Sequence, residues 1–194
     1  MIIWINGAFG SGKTQTAYEL HRRIKNSYVY DPENIGYFIR DNIPPEIENG
    51  DFQNYCLWRT FNYEMLSFIA KNYDDIIVVP MTITNRQYYD EIVGKLSKEF
   101  TVKHFILSAT KETILKRLGR RLETKNSWAA HQIDRCIEAF SVSIKEHAIQ
   151  TDNMTVYEVV QEIANQCNIK LPNDNRSKFQ KAIDRIMTQF KHIR

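Results

Sequence analysis

No run in the 194-residue chain approaches the ~20 uninterrupted apolar residues that a membrane-spanning helix needs, so any membrane contact is expected to be peripheral. Cysteine is scarce. Cys56, Cys136 and Cys167 are odd in number and far apart, which fits neither a disulfide framework nor the paired spacing of a zinc site. Such a set belongs in a reducing cytoplasm, the expected compartment. The opening Met1-Ile2-Ile3-Trp4-Ile5 has no basic n-region and no small-residue cleavage site, so it reads as a strand and not as a signal peptide. Charge of one sign is also missing: the formal net charge is +3, with no basic stripe interleaved with stacking aromatics, and nucleic acid is not an expected partner. Internal repeats and low-complexity tracts are absent as well.

What is present is the composition of one α/β domain, 43% hydrophobic and 25% charged. A domain of this size buries roughly 70% of the surface its unfolded chain exposes, so it needs no covalent staples. Apolar runs at 2–6, 27–31, 76–80 and 102–107 read as strands, with a weaker one at 148–151. Between them the spacing predicts helices over 13–25, 34–42, 51–72, 84–96, 110–118, 128–144 and 155–167. Thr84 with Gln87, and Thr155 with Glu158, are placed as capping boxes. Strands alternating with helices imply right-handed crossovers and a mainly parallel sheet covered on both faces.

The pattern G-x-x-x-x-G-K-[ST] is met by Gly7, Gly12, Lys13 and Thr14, between a buried strand and a helix, as the motif requires. The whole loop Gly7-Ala8-Phe9-Gly10-Ser11-Gly12-Lys13-Thr14 is therefore read as a P-loop holding ATP. Glycines let successive N–H groups curl around phosphate. Lys13 is expected to reach the β- and γ-phosphates, and the Thr14 hydroxyl to bind Mg²⁺.

Asp31 ends the second strand, on the edge where open α/β sheets bind ligands, and is expected to orient or deprotonate an acceptor hydroxyl, or else to help hold Mg²⁺. A turn formed by Asp31-Pro32 is the structural alternative. Arg40 and Arg59 lie on the segment between the second and third strands and are candidates for acceptor binding, as is Arg135. For Arg40 the alternative is a solvated helix surface. Arg117, Arg120 and Arg121 precede a polar loop, and with it they are read as a lid over 119–127 that supplies positive charge to a transferring phosphoryl group. One expected part is missing: the third strand, Ile76-Ile77-Val78-Val79-Pro80, has no aspartate at its end for Mg²⁺.

The opening residues 2–17 with Tyr28-Val29-Tyr30-Asp31-Pro32-Glu33, Val79-Pro80-Met81-Thr82 and Trp128-x-x-x-Gln132-x-Asp134-Arg135-Cys136 resemble the TmrB-type tunicamycin-resistance proteins, over nearly the whole chain. The resemblance implies a nucleoside-monophosphate-kinase-like fold, a P-loop NTPase sheet of five parallel strands in order 2-3-1-4-5. It also implies ATP binding and protection against tunicamycin, a nucleoside antibiotic built on uridine. The wider group, with shikimate and gluconate kinases, places an acid after the second strand and arginines in a lid; by position these are Asp31 and Arg117, Arg120 or Arg121. Two activities fit: Mg·ATP-dependent phosphoryl transfer to a nucleoside-like small molecule, or ATP-dependent sequestration of the drug without turnover.

Residues 1–171 form the expected domain and Pro172-Asn173-Asp174-Asn175 a linker. In the tail, 176–194, Phe179, Ala182, Ile183, Ile186, Met187, Phe190 and Ile193 make one apolar stripe, while Lys178, Lys181, Arg185, Lys191 and Arg194 make a basic side. That pattern suits a helix lying on the anionic inner face of a membrane; packing on the domain or on a second copy in a homodimer is the alternative.

Overall fold

The computed structural model of the chain describes residues 1–119, 128–144 and 147–192. Five parallel strands form one sheet in the order β2-β3-β1-β4-β5, the order expected. They are β1 (Ile2–Gly7), β2 (Ser27–Val29), β3 (Ile76–Pro80), β4 (Val102–Ser108) and β5 (His147–Gln150). β1 is central and buried along its whole length, with Ile2 level with Ile77 on one side and Val102 on the other. That is why its sequence is continuously apolar and not alternating.

Side chains alternate between two cores. Ile2, Trp4, Ile77, Val79 and Ile106 face one way, against α3 (Cys56–Asn72) and the helical run after β3. Ile3, Ile5, Val78, Phe105 and Leu107 face the other, against α1 (Lys13–Arg23) and α9 (Val156–Gln166). The remaining helices are α2 (Glu33–Asp41), α4 (Arg86–Tyr89), α5 (Lys95–Glu99), α6 (Lys111–Gly119), α7 (Trp128–His131), α8 (Ile133–Val142) and α10 (Lys178–His192).

Several expected boundaries move. The helix expected from residue 51 begins as a 3₁₀ turn, Phe52–Asn54, because Asp51 Oδ1 accepts the Gln53 N–H and turns the chain before α3 starts. Thr84 does not cap the next helix. Asn85 does, its Oδ1 accepting the Tyr88 N–H at 3.2 Å, and a π-turn over Asp90–Gly94 joins α4 to α5. Thr155 and Glu158 do form the expected box. The 128–144 helix is divided at Gln132 into α7 and α8.

α10 packs on the domain, and it does so with its polar side. Arg176, just ahead of it, bonds both carboxylate oxygens of Glu19, a residue of α1 that is 1% exposed. Arg22 reaches the Asp184 carbonyl and Thr188 Oγ1, Gln15 reaches the Arg185 carbonyl at 2.9 Å, and His192 stacks on Tyr18 at 3.8 Å. The apolar stripe is left outside: Phe179, Ile183, Ile186, Met187 and Phe190 are 42% to 81% exposed. Ile193 and Arg194 of the tail lie outside the described residues.

Candidate functional site

The loop from β1 to α1 is held open by its glycines. Gly7, Gly10 and Gly12 have φ of 145°, 83° and 104°, conformations that side-chain-bearing residues rarely adopt. At Gly7 a Cβ would also lie 2.7 Å from the Leu107 carbonyl oxygen. The first turn of α1 contains no acid, and Gly12 offers it no side-chain cap, which leaves the positive end of the helix uncompensated from within it. Lys13 is 8% exposed and lies back across the loop, its Nζ donating to Ala8 O at 3.1 Å and sitting 5.3 Å from the centre of the Phe9 ring.

The loop is fixed from both sides. Asn6 Oδ1 accepts from Gly7 N and Ile83 N, and Asn6 Nδ2 donates to Ile83 O, stapling the loop to the chain after β3. Thr82 Oγ1 donates to Gly7 O at 2.8 Å. Across the loop, Arg117 of α6 donates to Ser11 O, to Thr151 Oγ1 and to Thr151 O at 2.6 Å, bridging the loop to the turn after β5. The next residue of that turn, Asp152, accepts bonds from the Thr110 N–H and hydroxyl, which hold its carboxyl well below the usual carboxylate range. Beneath the loop, Ala8 packs with Ile114, Leu118, Ile133 and Cys136. Burial raises the pKa of the Cys136 thiol, making it a packing group and not a thiolate.

Asp31 lies past the C-terminal end of β2, on the edge of the parallel sheet where the loop also lies. Its Oδ1 accepts the Glu33 N–H at 3.0 Å, the turn geometry, yet the residue is only half-buried. Tyr18 nearby has its phenol pKa pushed up to about 12, first by burial and then by the Asp31 charge.

The arginines separate. Arg40, on α2, donates to Gly50 O at 2.6 Å and lies 5.2 Å from the centre of the Phe52 ring. Arg59 is 7% exposed; it pairs with Glu91 at 2.5 Å, donates to Gln53 O and covers the Tyr88 ring, so its guanidinium is engaged inside the protein. Arg135 is exposed on α8. Arg120, Arg121 and the lid expected over 119–127, past Gly119, lie outside the described residues. Asn6, Thr82, Gln53 and the Thr151–Asp152 turn are the residues that sequence reasoning missed as supports. Asn6 and Thr82 carried a signal, through the opening block and the Val79-Pro80-Met81-Thr82 block; Gln53 and the Thr151–Asp152 turn carried none.

A magnesium ion fits here only in a sparse form. Among the described residues no three His, Cys, Asp or Glu side chains gather as a metal cluster. Thr14, in the first turn of α1, and Asp31, past β2 on the same edge of the sheet, are the oxygen donors that the sequence singles out. Mg²⁺ is commonly held by one or two protein groups with phosphates and waters completing its octahedron, which is compatible with this set.

No family model matches the chain, and no curated protein matches it. Among solved structures, the tunicamycin resistance protein of Deinococcus radiodurans has a TM-score of 0.76 and 29% identity, over 89% of this chain and 98% of that one. Shikimate kinase of Bacteroides thetaiotaomicron (TM-score 0.58, 16% identity, 87% of this chain and 99% of that one) shares the fold. So does deoxyadenosine kinase of M. mycoides (TM-score 0.54, 15% identity, 87% and 99%), whose structure holds dCMP and dCDP. The resemblance read from the sequence is thus borne out: the chain is similar to a tunicamycin resistance protein and is built on the fold of P-loop kinases.

Proposed function

We propose that the protein binds Mg·ATP on the loop 7–14 and transfers its γ-phosphoryl group to a hydroxyl of a nucleoside-like small molecule, with tunicamycin the first compound to test. The observation that carries this reading is the loop itself: three glycines at positive φ lead into a helix whose first turn has neither acid nor side-chain cap, with Lys13 lying across it. The similarity to a tunicamycin resistance protein supports the choice of compound.

In this reading the backbone N–H groups of 7–14 cradle the phosphates. Lys13 exchanges its bond to Ala8 O for the β- and γ-oxygens, keeping its positive charge. Thr14 would hold Mg²⁺, with phosphate oxygens and waters completing its shell, and the ion would neutralise charge on those oxygens. Asp31 Oδ2 accepts the acceptor's proton while Oδ1 stays anchored to Glu33 N, so that one oxygen orients the other. Arg117 keeps the loop in place, Arg120 and Arg121 bring positive charge from the lid, and Arg40 and Arg135 contribute to acceptor recognition. Phosphoryl transfer is almost wholly positioning and charge stabilisation, so no further covalent machinery is required.

The second reading, sequestration without turnover, is favoured by two observations: β3 ends without an acidic residue, and Asp31 already serves as a turn acceptor. Mass spectrometry of tunicamycin and simple nucleosides after incubation with protein and Mg·ATP separates the two. A mass gain of one phosphate is expected; tight binding with unmodified compound selects sequestration.

We also propose that α10 rests on an anionic membrane surface from the cytoplasmic side. No helix among the described residues is long and apolar enough to cross a membrane. The exposed stripe of Phe179, Ile183, Ile186, Met187 and Phe190, with Lys178, Arg185 and Lys191 also exposed, suits insertion to headgroup depth. A homodimer through the same stripe is the competing outcome.

A further inference from the structure

The segment between β2 and β3 is joined to the phosphate loop by a file of hydrogen bonds, buried except at its outer end. Thr82 Oγ1 donates to Gly7 O at 2.8 Å, and Gln53 Nε2 donates to Thr82 O at 3.0 Å. Arg59 Nη1 donates to Gln53 O at 2.6 Å, and Arg59 Nε donates to Glu91 at 2.5 Å. Thr82, Gln53 and Arg59 are 2%, 7% and 7% exposed, so water does not readily replace a broken link. Each intermediate residue works at both ends, and buried carbonyls left without a donor are costly, which makes the links mutually dependent.

The same segment carries the acceptor side. Trp58 Nε1, one residue before Arg59, donates to Pro32 O at 3.0 Å, directly after Asp31. Gly36 of α2 lies so close to Phe52 that a Cβ there would approach the ring at 2.5 Å. The 3₁₀ turn holding Gln53 thus sits between the Asp31 edge and the first glycine of the loop.

We propose that Thr82, Gln53 and Arg59 are positioning residues that couple the acceptor segment to Gly7, so that order in the phosphate loop and order in the acceptor segment rise and fall together. Arg59 on this account is an internal strut and not an acceptor ligand. The functional meaning rests on the reading of 7–14 as a nucleotide loop; the coupling itself is a property of the protein without nucleotide.

The test is hydrogen–deuterium exchange of the full chain, for wild type, Gln53→Ala, Thr82→Val and Thr82→Ser, first without ligand and then with Mg·AMP-PNP. Gln53→Ala is expected to raise exchange in peptides covering 7–14 by roughly 3- to 10-fold, the loss of about one net hydrogen bond, although the substitution lies in the other segment. Thr82→Val, which keeps shape and removes the donor, is expected to raise exchange at both ends, while Thr82→Ser behaves as wild type. Peptides of β4 and α9 are expected not to change. The proposal is overturned if Gln53→Ala affects only 50–56, if Thr82→Ser behaves like Thr82→Val, or if all regions loosen equally. The ligand arm is separate: failure of Mg·AMP-PNP to protect 7–14 in wild type overturns the nucleotide reading and leaves the ligand-free comparison to decide the coupling.

Discussion

Two cations of the protein are put to unlike use: Lys13 lies across the phosphate loop with its Nζ on Ala8 O, whereas Arg59 is engaged inside the protein by Glu91, 32 positions away, and by the Gln53 carbonyl. Asp31 tests the proposed chemistry directly: Asp31→Asn keeps an acceptor for Glu33 N and loses the base, so nucleotide affinity should stay within about threefold while transfer falls by roughly 10² to 10⁴. Rates at saturating ATP check this, and transfer at the wild-type rate would make Asp31 purely a turn residue. His104 provides a pH test. Burial, with the His147 charge second, lowers its pKa to about 3, so between there and about 6.5 the unfolded chain binds a proton that the folded one refuses. Stability should therefore fall as pH drops through that window, by up to ~1.4 kcal/mol per unit, with the slope flattened in His104→Gln. Denaturant midpoints at pH 7 and pH 5 measure it.

Helices and turns were readable in their existence more than in their ends. The 3.6-residue period of α10 is plain, but period alone does not say which face docks. The decision belongs to Glu19: a carboxylate 1% exposed on α1 requires cationic partners, and Arg176 with Arg22 supplies them, turning the polar side inward and leaving Phe179 and Phe190 outside. Likewise Asn85 displaces Thr84 as a cap, and the π-turn over Asp90–Gly94 has no sequence signature. Arg176→Met should cost about 1–3 kcal/mol, less than the loss of a fully buried pair because Arg22 remains. The tail should then become trypsin-sensitive at Lys178 and Lys181; unchanged digestion would contradict the docking described. The membrane proposal belongs to the same element. The full chain should sediment with anionic vesicles at low salt and be released at high salt, whereas a chain ending at Leu171 stays in solution. Equal sedimentation of the two would exclude the helix as the membrane contact, and a salt-independent dimer would assign the stripe to a second copy.

At the scale of the whole molecule, the buried apolar strands and the glycine turn after β1 were enough to set the architecture, because a parallel sheet covered on both faces leaves few ways to connect them. The strand order came from resemblance, not from hydrophobic pattern. Least visible beforehand was how the loop is braced at once by Asn6, Thr82 and Arg117, contacts between residues up to 106 positions apart. Phosphoryl transfer and sequestration alike depend on that braced loop binding a nucleoside triphosphate. The most direct measurement is calorimetric titration of Mg·ATP into wild type and Lys13→Ala, with folding of the variant verified by circular dichroism. Saturable binding at one site per chain in wild type, weakened at least about 30-fold when the lysine charge is removed, is the predicted result. No binding by wild type, or equal affinity in a folded Lys13→Ala protein, would contradict it.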